Sequence, residues 1–319
     1  MRSEPTRLNG KYTKITAWES PTGASLAIYH RKTSKKAIGI VHINHGLADH
    51  CGRYARFAEK LTRAGFHVYA QDHRGHGATT APNTSQGVFG GKDGWELVLQ
   101  DIKFVNAEIH KLHPELPVIM FGHSMGALLS YNYLLRWPET IEAIAIWNTA
   151  ISQSPALKTL GRVLAVEKVF KGAKGKSLVN KLTFAAWNKT FSPNKTESDW
   201  LSKDVEECQK YDDDPDCGWP ASISMWQGLA QGIRTGSSDI GIENIPKSMP
   251  IFVLGGDKDP SVEGGKATLD LDARLCAAGL TNVTTVLREN GRHEALNEPK
   301  TERGAVMQSF VDWATKSVG

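Results

Sequence analysis

Val118-Ile119-Met120-Phe121-Gly122-His123-Ser124-Met125-Gly126-Ala127-Leu128-Leu129 is the stretch on which the fold turns. An apolar run of strand length ends in a Gly-x-Ser-x-Gly pentapeptide, and an apolar helix-forming run follows at once. Alone, the pentapeptide is weak, because a chain of 319 residues with 30 glycines meets it readily by chance. Its context carries the weight. A serine on so tight a strand-to-helix turn must adopt strained backbone angles, and glycines on either side let neighbouring backbone approach. The turn lifts the hydroxyl above the sheet, and the helix N-terminus beneath it favours developing negative charge.

Working outward, strand-like runs cover Tyr12–Trp18, Ser25–Tyr29, Ala37–Ile43 and Phe66–Ala70. Gly52–Ala64 has helical spacing, with Tyr54, Phe57, Ala58 and Leu61 on one face and Gly65 as its stop. Lys92–His113 reads as a long helix closed off by Pro114 and Pro117; Ser124–Arg136 is a second helix and Ile141–Trp147 a further strand. The alternation halts near Ala150 and resumes at Pro250, with strands at Ile251–Leu254 and Val283–Leu287 and helices at Gly265–Ala278 and Pro299–Lys316. Strands alternating with helices predict βαβ units, hence an α/β fold with a mostly parallel, eight-stranded sheet flanked by helices. Residues 1–150 and 246–319 form the expected core, and 151–245 an inserted helical cap.

Composition narrows the function. With 40% hydrophobic and 23% charged residues the chain is globular. A net charge of +4 gives no case for nucleic acid. Cys51, Cys208, Cys217 and Cys276 lack Cys-x-x-Cys spacing, so they predict free thiols of a reducing, cytoplasmic setting and no metal. Met1–Gly10 is polar, unlike a signal peptide, and no apolar run is long enough to span a membrane.

Ser124 as a nucleophile requires a base, since a neutral hydroxyl attacks poorly. In this fold the order along the chain is serine, acid, histidine. Of eleven histidines ten precede Ser124, leaving His293 in the loop after the last strand. The acid follows the preceding strand, where Asp257 and Asp259 stand two residues apart; Asp259 is favoured and Asp257 suits a turn cap. Two backbone N–H groups should hold the oxyanion: that of Met125, and that of Leu47 in the loop Asn44-His45-Gly46-Leu47.

These stretches together resemble the monoacylglycerol lipase and lysophospholipase branch of the α/β-hydrolases, also described as serine aminopeptidase S33-like. The residues carrying the likeness are His45–Tyr54, Asp72-His73-Arg74-Gly75-His76-Gly77, Gly122–Gly126, Asp257–Pro260 and Gly291–Glu294. The resemblance implies Ser124, Asp259 and His293 as a triad, Leu47 and Met125 as oxyanion donors, and no cofactor. It prefers Asp259 because that residue lies three after Gly256. Leu47, Asp49 and Cys51 depart from the usual residues, and the first could narrow the acyl site. The loop Asp72–Gly77 reads as structural, and Cys51 as a bystander.

The insertion is uneven in charge: residues 157–195 hold nine Lys/Arg against Glu167, and 196–218 hold nine Asp/Glu against two Lys. Trp187, Trp200, Trp219 and Trp226 suit either an acyl pocket or a small core of the cap. Leu157, Leu160 and Leu164, with Val163, Val166 and Phe170 on an adjacent stripe, interleave with Lys158, Arg162 and Lys168. That pattern is compatible with weak contact to anionic lipid, although solvated faces of this kind are common. The expected enzyme hydrolyses a small-molecule ester with an apolar acyl chain. An S33-type aminopeptidase, its amine-binding carboxylate drawn from the acidic half of the cap, and a non-catalytic ligand-binding protein are the rivals.

Overall fold

The computed structural model describes residues 12, 14–91, 93–152 and 155–319; the polar start Met1–Gly10 and Lys92, the expected first residue of the long helix, lie outside these. Eight strands form one sheet in the order β1-β2-β4-β3-β5-β6-β7-β8. The centre is β3 (Gly39–Asn44), β4 (Phe66–Gln71), β5 (Val118–His123), β6 (Ala143–Trp147) and β7 (Ile251–Gly256), with every residue buried. Helices cover both faces of these strands, which is why their sequences run continuously apolar and do not alternate. β1 (Lys14–Glu19) and β2 (Ser25–Arg31) join antiparallel at one edge; β8 (Val283–Arg288) extends the parallel set at the other.

One face is covered by α1 (Ala55–Ala64) and α9 (Lys300–Val318), where Phe57, Phe121, Trp147 and Phe310 pack with ring centroids 5.0–5.8 Å apart. The other face takes α2 (Gly94–Leu112), α3 (Met125–Leu134) and α8 (Lys266–Ala277), burying Val98, Ile102, Leu129 and Leu271. Gly65, at φ 106°, ends α1 by donating its N–H back to Leu61. The predicted helix at Gly52 begins as a tighter turn, Cys51–Tyr54, capped by the His50 ring accepting the Gly52 N–H.

Between β6 and β7 lie α4 (Pro155–Lys171), α5 (Leu178–Lys189), α6 (Val205–Asp212) and α7 (Ile223–Gly236). α7 is welded to the core. A Cβ at Gly232 would come within 2.2 Å of the Trp95 ring, and Asn132 Nδ2 donates to the Gly232 carbonyl at 3.0 Å. The topology delivers the loops after β3, β5, β7 and β8 to one edge, the carboxyl ends of the parallel strands, where such folds bind ligands.

Candidate active site

Ser124 stands between β5 and α3 at φ 55°, ψ −119°, an angle pair a side chain tolerates only when its surroundings enforce it. The Ser124 N–H donates to the Trp147 carbonyl at 2.9 Å, pinning the turn to β6. The flanking glycines are required by space. A Cβ at Gly122 would meet Gly126 O and Ala127 Cα at 2.5 Å, and one at Gly126 would lie 2.1 Å from Asn44 O. Gly126→Ala therefore must push the strand-to-helix turn off β3; we expect a loss of about 3 kcal/mol in urea unfolding and little residual activity.

The sequence-predicted residues gather around this turn. His293 Nδ1 lies 2.9 Å from Asp259 Oδ2, and the carboxylate also accepts Asn148 Nδ2 at 2.9 Å and the Ser261 hydroxyl at 2.7 Å. Burial alone would raise the Asp259 pKa, but His293 and these donors hold it below the ordinary carboxylate value. Asp257 stays at the turn, its N–H on the Arg288 carbonyl and its carboxylate 3.8 Å from Lys258. Ser124, His293, Leu47 and Met125 all line one cavity. In this conformation the Ser124 hydroxyl has no hydrogen-bond partner among the described residues. Neither the Leu47 nor the Met125 N–H is taken by another described group; Met125 opens α3, so its N–H has no partner within the helix.

Other positioning residues were not singled out from sequence. His123 pKa is lowered to about 4, first by burial and then by His293, so its ring is neutral. Nε2 faces the His293 carbonyl at 3.0 Å, and because a carbonyl only accepts, Nε2 carries the proton and donates. Arg53 donates to both oxygens of Glu294 at 2.6 Å and to Asp49 Oδ1 at 3.1 Å. It thereby joins the loop after β3 to the residue following His293. Burial would raise the Asp49 and Glu294 carboxyls, but the guanidinium outweighs it and keeps both low. Tyr54 OH adds a bond to Asp49 Oδ2 at 2.9 Å. The only sequence signal was the charge alternation Asp49, Arg53, Glu294 inside quoted motifs.

The Asp72–Gly77 loop has the structural role expected of it. Asp72 accepts the N–H groups of Cys51 and Ala78 and the Tyr29 hydroxyl, while Arg74 pairs with Asp101. Burial, then Asp72 and Asp49, push the Cys51 thiol well up, which leaves it unreactive. Two residue sets could be considered for a metal: His45, Cys51 and Asp72, and His50, Asp214 and Cys217. In the first, both His45 nitrogens and both Asp72 oxygens are already engaged. In the second, the Gly52 N–H fills His50 Nδ1, so Nε2 keeps its proton and donates to Asp214 at 3.1 Å. Neither donor set suits an ion. The second is an interlock between the insertion and the loop after β3, reinforced by Gly218 N–H on the Ala48 carbonyl at 3.0 Å.

Several neighbouring histidines share one acid response. His42 and His123 have pKa values lowered to about 4, His45 and His76 to about 3, mainly through burial. The unfolded chain binds protons at these rings below about pH 6.5 while the folded chain does not, so stability is full above that pH and declines as pH falls toward 4. Urea unfolding at pH 5.5 should show a loss of about 1 kcal/mol per histidine relative to pH 7.5, several kcal/mol together; a flat profile contradicts the burial of these rings.

The cavity holds about 340 Å³ and is walled by Leu157, Leu160, Phe184, Trp187, Leu229 and Ile233, and Ser124 and His293 line it too. Residues 35–300 match the protein family described as serine aminopeptidase, S33. The chain belongs to the S33 family. The matched region of this S33 chain runs from just before β3 to the start of α9 and includes the whole insertion. It is 28% identical to a monoacylglycerol lipase of Mycolicibacterium smegmatis over 86% of this chain and 87% of that one. Among solved structures, a thermostable carboxyl esterase of Bacillus coagulans superposes with a TM-score of 0.86 at 25% identity, covering 96% and 99% of the two chains. A soluble variant of the monoglyceride lipase of Saccharomyces cerevisiae, at 17% identity and TM-score 0.73 over 99% of both chains, shares the fold. In this S33 member the four insertion tryptophans divide: Trp187, Trp200 and Trp226 line the cavity, whereas Trp219 packs on His76 and Gly87.

Proposed function

We propose that this protein is a serine ester hydrolase of the monoglyceride-lipase type, acting through an acyl-enzyme on Ser124. The observation that carries it is His293, bonded to Asp259, lining the same mostly apolar cavity as Ser124, Leu47 and Met125. Asp259 holds Nδ1–H, which leaves Nε2 to take the Ser124 proton as Oγ attacks the acyl carbon. The N–H groups of Leu47 and Met125 receive the oxyanion. His293 then protonates the leaving alcohol, and a water activated by the same ring releases the acid. The segment 151–245 acts as a cap whose inner side is the acyl wall.

The cavity lining favours an aliphatic acyl chain, since most of it is apolar. A monoacylglycerol fits, and the Mycolicibacterium smegmatis and Saccharomyces cerevisiae relatives bear that activity in their names. Each CH₂ buried is worth about 0.8 kcal/mol, about fourfold in kcat/KM. Nitrophenyl esters graded by acyl length should show that rise from acetate to octanoate, and a flat series would contradict an acyl wall. The aminopeptidase reading needs a free carboxylate beside the serine. The acidic half of the insertion provides none at the cavity: Asp199, Asp204, Glu207 and Asp214 are engaged with Lys195, Arg303, Arg56 and His50 elsewhere. Asp49 and Glu294 line the cavity but are committed to Arg53, and Glu263, the remaining acid of the wall, is about half exposed and 3.9 Å from Lys266. Aminoacyl-anilides should be inert.

The outer face of the cap is unusually apolar. Val166, Val169, Phe170, Leu178 and Leu182 are 55–83% exposed among exposed Lys168, Lys171, Lys174, Lys176 and Lys181. Glu167, the one acid there, is buried and bonded to Lys171, Ser177 and the Leu178 N–H. No described helix is long and apolar enough to cross a membrane, so this face would rest on an anionic surface. Co-sedimentation with phosphatidylserine vesicles should weaken at least tenfold in Phe170→Asp, and binding unaffected by that change would remove the proposal. The four cysteines are free, which suits a cytoplasmic setting.

A further inference from the structure

Asp259 has a neighbour that the triad does not require. Ser261 sits two residues on, at the start of the turn after β7, and lines the cavity. Its backbone N–H donates to Asp259 Oδ1 at 2.9 Å and its hydroxyl donates to the same oxygen at 2.7 Å. The hydroxyl has one hydrogen, so with that hydrogen on Asp259 its lone pairs are left for His293 Nδ1, which stands 2.9 Å away. The same Nδ1 lies 2.9 Å from Asp259 Oδ2. One ring N–H is therefore shared by two acceptors, a carboxylate and a hydroxyl polarised by that carboxylate.

We infer that Ser261 is a positioning residue of the hydrolytic machinery, a second acceptor for the His293 Nδ1–H that stabilises the ring as it takes up the Ser124 proton. This inference rests on the acyl-enzyme reading. No bond to Ser261 forms or breaks during the reaction; the proton moves only between Ser124 Oγ, Nε2 and the leaving oxygen. To first order the Asp259 charge is the same with or without the hydroxyl. What the ring loses with Ser261 is the negative end of a dipole held against Nδ1, and the imidazolium is the form that suffers. The other groups facing the ring are fixed. The neutral His123 ring lies 4.8 Å away, Trp200 packs at 4.8 Å, Glu294 is paired with Arg53, and Arg292 donates to the carbonyls of Asp199 and Ser202. Glu263 stands at the cavity wall about half exposed, 3.9 Å from Lys266.

Ser261→Ala should lower kcat about fivefold at the pH plateau, leave KM within twofold, and move the acidic limb of the kcat/KM profile down by about half a pH unit. Ser261→Thr, which keeps the hydroxyl, should recover both. Labelling of Ser124 by a fluorophosphonate should persist in each variant, and their thermal midpoints should match the parent within a few degrees. An alanine variant with unchanged kcat and limb overturns the inference. So does a fall in kcat with the limb in place that threonine fails to recover, because that marks a merely structural loss. Loss of labelling in the unsubstituted protein would instead strike the acyl-enzyme reading, so the two failures are distinguishable.

Discussion

Ser124→Ala is expected to lower kcat on a medium-chain ester by about 10⁵-fold while leaving the fold intact. The side chain makes no hydrogen bond to a described residue, so alanine forfeits no such bond. The strained φ of 55° belongs to the turn, which the Ser124 N–H bond to Trp147 and the clearances at Gly122 and Gly126 enforce whichever residue stands there. What vanishes is the nucleophile, and removing one member of such a group costs about as much as removing the group. The residual rate should remain well above the uncatalysed one, because the proposed oxyanion donors, the Leu47 and Met125 N–H groups, are untouched by the change. A thermal midpoint within about 3 °C of the parent, together with the lost rate, separates chemistry from folding. A variant retaining a tenth of the parent rate would remove Ser124 from the mechanism.

The second large effect is expected at Arg53. Its guanidinium, 7% exposed, faces Glu294 and Asp49, whose side chains are 6% and 4% exposed. Arg53→Ala leaves two buried carboxylates uncompensated, a class of change that costs about 3–5 kcal/mol. In a chain of this size that corresponds to a fall in Tm of about 6 °C. Activity should fall with it, since Asp49 sits two residues after Leu47 and Glu294 follows His293. The charge-neutral control is the triple replacement of Arg53, Asp49 and Glu294 by Met, Asn and Gln. It should regain most of the stability without the activity, because the loops lose their shared anchor while no bare charge remains. Equal stability of Arg53→Ala and the parent would show that the cluster is hydrated and adds nothing.

The core of this fold was legible because burial on both faces writes itself as unbroken apolar strands, and the glycines flanking Ser124 mark a backbone approach no other residue permits. Elimination likewise pointed to His293 without geometry, since it alone of the histidines follows Ser124. Other features had no linear signature. His123 looks like the variable position of a motif, and only the His293 carbonyl beside its Nε2 shows what the ring does. Arg53 and Glu294 are far apart in sequence, and Ser261 is one serine among many. The insertion was read as helical, yet its charge asymmetry could not say that α7 packs as core, that Trp219 turns away from the cavity, or that the second stripe of α4 faces outward. Periodicity reports that a helix has an apolar face; it is silent on which neighbour, if any, covers that face.

The most direct test is acid-quenched mass spectrometry of the enzyme mixed with nitrophenyl octanoate. One octanoyl adduct per chain is expected, formed within the burst of nitrophenol and confined to the peptide containing Ser124, with no adduct in His293→Ala over the same interval. Steady turnover with no adduct, or an adduct on another residue such as the exposed thiol Cys276, would contradict an acyl-enzyme on Ser124.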